Sequence, residues 1–171
     1  SVLASVVAII IGGLLGVLIY EYKRLAAPVM VVVNFLYTIP SISMLGLLLY
    51  VSGVGNTTAI IALVIYALLP MVRNTFTGLN QIDQAMCEAG IALGLTRIQR
   101  LWNIEIPLAM PTIMAGIRTM LVMTIALTGI ASFIGAGGLG VAIYRGITTN
   151  QSALTIAGSL LIALLAITVD A

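Results

Sequence analysis

The residues of this chain whose types and spacing could do work fall mostly in one stretch. Between Arg73 and Pro107 the sequence passes through Glu88-Ala89-Gly90, Gly94 and Ile104-Glu105-Ile106-Pro107. Asn80 suits a helix N-cap and Asp83 its first turn, so a short helix is expected from about Asn80 to Leu93. Gly94 suits the C′ position, where a chain turns through left-handed backbone. Thr96 and Gln99 have the spacing of a capping box, and Pro107 is expected to stop the second helix. The stretch is too apolar to be a free loop, because Ile91, Leu93, Leu95, Ile98, Leu101, Trp102, Ile104 and Ile106 all need partners. Two short amphipathic helices about a glycine elbow suit docking into a groove of another protein. The work implied is mechanical rather than catalytic.

The elements that must hold this stretch are membrane spans. Of the 171 residues, 61% are hydrophobic and 7% charged, whereas soluble domains carry about 25% charged residues. A soluble fold of this size has no place to hide that much apolar surface, and lipid removes the need. Five apolar runs are long enough to cross, at about 2–20, 25–51, 57–72, 111–134 and 152–169. The expected fold is all-α and integral to the membrane, a single domain with a helical loop at about 78–107. Lys23, Arg24, Arg73, Arg97 and Arg100 share one side and Arg145 lies on the other. The positive-inside rule puts the long loop in the cytoplasm and residues 53–56 and 135–151 outside. The apolar runs that start and finish the sequence suggest a fragment of a longer chain.

Other constellations are read against simpler accounts. Pro40 interrupts the second run and Pro70 the third, and carbonyls freed by a broken membrane helix often line a cavity. Tyr37, Thr38, Pro40 and Ser41 are therefore candidates for a translocation pathway, against the simpler account of a packed kink. Tyr66 and Phe133 could offer cation–π contacts, while Tyr20 and Tyr50 suit interface anchoring. Arg118, inside the fourth run, either lines the pathway, braces the loop, or snorkels to the interface. Gly135, Gly137, Gly138 and Gly140 match a dinucleotide-binding pattern, but a membrane run precedes them and no acid follows at the required distance. An outer gate or a plain close-packed turn fits them better. Gly12 and Gly16 form a GxxxG pair suited to close helix contact. The chain has no histidine and one cysteine, Cys87. That excludes an intrachain disulfide and leaves no recognisable metal site or catalytic centre. The net charge of +2 gives no nucleic-acid surface.

The spacing Glu88-Ala89-Gly90, Gly94, Ile104, Pro107 resembles the EAA loop of permease subunits in bacterial ABC importers. Gly90 stands where that pattern has alanine, and Ile106 where it has leucine. Tyr37-Thr38-Ile39-Pro40-Ser41, Ala115 to Thr119 and Ile134 to Gly140 are similar to the branch that imports glycine betaine, choline and carnitine. The resemblance implies that Glu88, Ala89, Gly90, Gly94, Ile104 and Pro107 couple to cytoplasmic ATP-binding cassette subunits. ATP and Mg would sit on those partners and no cofactor on this chain, which has no Walker A pattern. It also implies a second permease subunit, since five spans are too few for a full pathway. An extracytoplasmic binding protein, or a binding domain fused after Ala171, would deliver the solute. The location would be the bacterial cytoplasmic membrane, in contact with lipid. A secondary transporter would be expected to carry more ionisable residues within its spans.

Overall fold

A computed structural model describes residues 2–170; the expected continuation past Ala171 lies outside them. The described residues are helical almost throughout. The helices are α1 (Val2–Glu21), α2 (Lys23–Thr38), α3 (Ser41–Ser52), α4 (Asn56–Asn80), α5 (Gln84–Ala92), α6 (Arg97–Arg100), α7 (Ile106–Ala131), α8 (Gly140–Thr148) and α9 (Ser152–Asp170). A π turn, Leu101–Glu105, joins α6 to α7, and a 3₁₀ turn, Ser132–Ile134, follows α7.

The apolar runs account for the architecture. α1, α4, the continuous rod from Arg97 to Ile134, and α9 are each long and apolar enough to span a bilayer. α2 and α3 make a fifth crossing only if taken as one broken span, bent by 99°. The bend falls where the sequence places Pro40. Ile39 and Pro40 are both extended, at φ/ψ of −66°/126° and −56°/137°, as steric conflict with a proline ring demands of its predecessor.

α4 is the central helix, with Tyr66, Ala67, Met71, Val72, Thr75 and Leu79 buried along its length. α1 and α7 pack against it on either side. The contact with α1 uses the glycine pair. A Cβ on Gly12 would meet Met71 Cβ at 2.8 Å, and one on Gly16 would meet Thr75 Cβ at 2.5 Å. The contact with α7 is equally close, since a Cβ on Gly116 would meet Asn74 Cβ at 2.5 Å. In lipid, where apolar helices gain nothing by leaving solvent, such backbone approach is the main source of helix adhesion.

Several boundaries differ from the sequence reading. Pro70 does not interrupt the third span: it sits buried inside α4, which continues past Val72 to Asn80. The helix is enclosed there by α1 and α7, the setting in which a membrane helix carries proline without breaking. Asn80 is not an N-cap. It is the last residue of α4, and its side-chain amide bonds back to the Phe76 carbonyl at 2.9 Å. Residues 135–151 are not simply a loop, because α8 occupies their middle, Gly140–Thr148. Gly146 and Gly158 let α8 lie on α9, where a Cβ would meet Thr155 Oγ1 at 2.3 Å and Ile143 Cγ1 at 3.0 Å respectively.

Candidate functional site: the coupling elbow and the broken span

The loop folds as two short helices about Gly94. Asp83, not Asn80, caps α5, accepting from the Ala85 N–H at 3.0 Å. At the other end the Gly94 N–H reaches the Ile91 carbonyl at 2.9 Å and the Leu95 N–H the Gly90 carbonyl at 3.1 Å. This is the Schellman arrangement, which needs left-handed backbone at C′. Gly94 supplies it, with φ of 76°. Thr96 and Gln99 close the expected capping box. Replacing Thr96 with alanine should destabilise the start of α6 by about 1 kcal/mol. Backbone amides of residues 97–100 should then exchange about fivefold faster, and unchanged exchange would remove the cap from the account.

Pro107 does not stop the second helix. The rod runs through it, because residues 101–105 widen into a π turn in which the Ile106 N–H bonds the Leu101 carbonyl. The missing N–H and the ring of Pro107 are accommodated just beyond this wider turn, so the chain passes from α6 to the membrane helix without a break. The fourth span is accordingly longer than 111–134.

The apolar residues of the loop divide into two sets. Leu95, Leu101, Ile104 and Ile106 are half-buried. Ile91, Leu93, Ile98 and Trp102 are exposed, the last three at 79%, 71% and 64%. Glu88 and Ala89 are exposed as well, with Glu88 accepting from Gln84 Nε2 at 3.0 Å on its own helix. Gly90 faces inward. A Cβ there would meet Ile104 Cδ1 at 2.9 Å and Arg100 Cγ at 3.3 Å, which accounts for glycine in place of the alanine of the resembling pattern.

Beneath the elbow lies a polar cluster that sequence reasoning missed. Glu105 is 1% exposed, and Arg100 Nε donates to its Oε1 at 2.6 Å. The Cys87 thiol approaches the same oxygen at 3.7 Å. Burial, together with the Glu105 carboxylate, pushes that thiol up, so it stays a neutral donor. Beside the cluster, Arg97 pairs with Glu21 at the end of α1, and Lys23 and Arg24 line the adjoining cleft of about 640 Å³.

The broken span brings Tyr37, Thr38, Pro40 and Ser41 to one place. Tyr66 lies there too, in T-shaped contact with Tyr37 at 6.1 Å between ring centres. The Tyr66 hydroxyl donates to the Ile39 carbonyl, one of the groups freed by the break. Tyr66 is thus committed to the fold, whereas Tyr37 is exposed and its hydroxyl reaches only Met123 Sδ, at 3.7 Å. Thr38 bonds back to the Phe35 carbonyl at 2.7 Å. Tyr66 lies ten residues into α4, about 15 Å along its axis and so near mid-membrane. The void enclosed beside it, between Ser41, Leu45, Ala62 and Leu127, is only about 10 Å³. No solute fits inside one chain at this point.

Arg118 touches neither the elbow nor the bend. It pairs with Asp170 at the end of α9, Nε to Oδ1 at 3.2 Å, in place of the expected brace to the loop. Arg118 is the one charge in the run 111–134, and Asp170 is the acid that directly follows the run 152–169. The glycine turn packs against the α3–α4 turn: the Gly137 N–H donates to Asn56 Oδ1 at 3.1 Å, and a Cβ on Gly135 would meet Val54. Gly140 is wedged under the Gly129 backbone. Residues 53–56 and 135–140 therefore share one end of the bundle, as charge alone indicated.

This arrangement is that of a type I ABC importer permease. Superposition on a structure of inward-facing conformations of the MetNI methionine ABC transporter gives a TM-score of 0.88, with 22% identity, over 98% of this chain and 84% of that one. The family described as binding-protein-dependent transport system inner membrane component matches residues 8–171. The chain belongs to that family and is a permease subunit. Similar proteins include the glycine betaine/carnitine/choline transport system permease OpuCD of Bacillus subtilis (strain 168), 46% identical over 99% of this chain and 75% of its own length. The osmoprotectant import permease OsmW of Salmonella typhimurium is 47% identical over 98% of this chain and 80% of its own length. The ergothioneine transport permease/ergothioneine binding protein EgtU of Helicobacter pylori is 40% identical, and this chain spans 30% of it.

Proposed function

We propose that this permease forms, with a second permease subunit, the membrane pathway of an ATP-driven importer for a small quaternary amine such as glycine betaine, choline or carnitine. The observation that carries the reading is the exposed apolar surface of the coupling pair, Leu93, Ile98 and Trp102. It is suited to the cleft of an ATP-binding cassette subunit, where ATP and Mg would be held. The coupling end faces the cytoplasm, and a binding protein delivers solute to the end formed by residues 53–56 and 135–140. Closure of two ATPase subunits moves two elbows and, through the unbroken rods behind them, rocks two permeases. A dimer is supported by the absence of a solute-sized void beside the bend: the cavity must be completed by a second copy or a relative. Tyr37 offers its ring face to the cation, and Gly135 to Gly140 help to close the outer end.

The full-length chain, reconstituted in vesicles with its ATPase and binding protein, should take up radiolabelled betaine, choline or carnitine only with ATP. Uptake should persist after ion gradients are collapsed; uptake driven by a gradient without ATP would overturn the reading. A cation–π contact contributes about 0.5–2 kcal/mol. Tyr37→Ala should therefore lower the apparent affinity of transport by roughly 2- to 30-fold, while Tyr37→Phe should not. Equal behaviour of both variants and the unsubstituted chain would remove Tyr37 from the pathway. Ergothioneine, tested in the same assay, separates the two solute classes named for the relatives.

A further inference from the structure

We propose that Glu105 is the positioning residue that makes the two coupling helices and the fourth span move as one body. The inference rests on the ATP-coupled reading above. Its basis is the placement of one carboxylate. Glu105 ends the π turn between α6 and α7, so its backbone is the joint between the coupling pair and the membrane rod. Its side chain turns back toward the pair. Oε1 accepts from Arg100 of α6 at 2.6 Å and faces the Cys87 thiol of α5 at 3.7 Å. The Tyr20 phenol of α1 faces the same carboxylate. One buried group thus gathers all three elements that meet under the elbow.

Two features set this apart from an ordinary ion pair. First, Arg100 is 18% and Glu105 1% exposed in their side chains, so neither charge can be left alone without cost. A force on α6 that would part Arg100 from Glu105 is resisted until the rod follows, and α5 is tied to the same carboxylate through the Cys87 thiol. Second, Oε2 of Glu105 is buried and without a hydrogen-bond partner among the described residues. Buried polar atoms are nearly always satisfied, so this oxygen calls for a donor, and the Tyr20 phenol that faces the carboxylate is the group on α1 able to supply one.

The test compares transport with hydrolysis in the complete transporter, reconstituted in vesicles with ATPase and binding protein. Glu105→Gln keeps the shape and an accepting oxygen but removes the charge. Solute uptake should fall at least tenfold while ATP hydrolysis stays within about twofold, so that solute moved per ATP collapses. Glu105→Asp, which restores the charge on a shorter arm, should recover part of that ratio. Arg100→Lys keeps both charges but loses the planar fork, and should lower the ratio less than Glu105→Gln does. An unchanged ratio in Glu105→Gln would overturn the proposal, as would uptake and hydrolysis falling in parallel in an assembled complex. If Glu105→Gln does not assemble, the ratio in Glu105→Asp and Arg100→Lys decides: lowered ratios support the proposal and normal ones overturn it. Failure of the unsubstituted chain to couple uptake to ATP would instead remove the reading on which the proposal rests.

Discussion

Replacing Gly94 with valine should abolish ATP-driven uptake while leaving the chain inserted and its spans packed. The physical case is local. Gly94 has φ of 76°, and nothing lies within 4 Å of where its Cβ would be. Space is therefore not the difficulty; backbone conformation is. Left-handed backbone costs an ordinary L-residue about 1–2 kcal/mol, and a β-branched one more. Asparagine tolerates that region better than most. The expected series of uptake is glycine, then asparagine, then alanine, then valine. In the valine variant the Schellman bonds from Gly94 and Leu95 to Ile91 and Gly90 give way. α5 and α6 then lose the fixed angle that the elbow sets between them. ATPase binding, measured by co-purification, should fall in the same order as uptake. A variant series in which alanine and valine behave like glycine would show that the elbow is not required. An order set by side-chain volume, with asparagine as poor as valine, would point to an unseen steric contact instead.

How much of this was legible in the sequence depends on how local the governing physics is. The elbow, the capping box and the break at Pro40 were all readable, because each is decided within a few residues by backbone sterics and short hydrogen bonds. The GxxxG contact of α1 was readable as a motif, though not its partners Met71 and Thr75. What escaped was decided across the chain. Pro107 reads as a stop so long as the helix before it is assumed to be α; the π turn at 101–105 changes that. Asn80 and Asp83 are both plausible caps, and the choice went to Asp83 because packing against α1 and α7 carried α4 on through Asn80. α8 was hidden by the glycines around it, which look like loop but serve close packing against α9. Glu105 gave no signal of its own within Ile104-Glu105-Ile106-Pro107. Its significance lies in the burial that brings Arg100 and Cys87 to it. The pairing of Arg118 with Asp170 joins residues 52 apart in sequence, so it is set by how α7 and α9 pack and not by local spacing.

The contact of α1 with α4 should prove most sensitive at Gly16. A Cβ there would lie 2.5 Å from Thr75 Cβ and 3.2 Å from the Val72 carbonyl oxygen. Neither neighbour can swing away, since one is a β-carbon on a central helix and the other is backbone. Gly16→Ala should therefore cost about 1–3 kcal/mol, the usual penalty of overpacking. Gly16→Leu cannot be accommodated without parting α1 from α4, and with it the contact that seats Glu21 against Arg97. Gly13 is the internal control. It lies on the same helix, but its Cβ would meet only Met71 Cε, at 3.7 Å, which is ordinary contact with the free end of a flexible side chain. Gly13→Ala should be neutral or slightly stabilising, because glycine in a helix interior costs about 0.5–1 kcal/mol relative to alanine. Thermal unfolding of the purified chain in detergent, with protease accessibility of the 21–24 turn, reads both effects. Unfolding temperatures should rank Gly13→Ala at or above the unsubstituted chain, then Gly16→Ala, then Gly16→Leu. Equal loss at positions 13 and 16 would mean that α1 tolerates neither change for reasons of helix propensity or lipid fit, and that the glycine face is not what holds it to α4. The predicted asymmetry follows from geometry alone, since the two positions share a helix, a depth within one turn and a residue type.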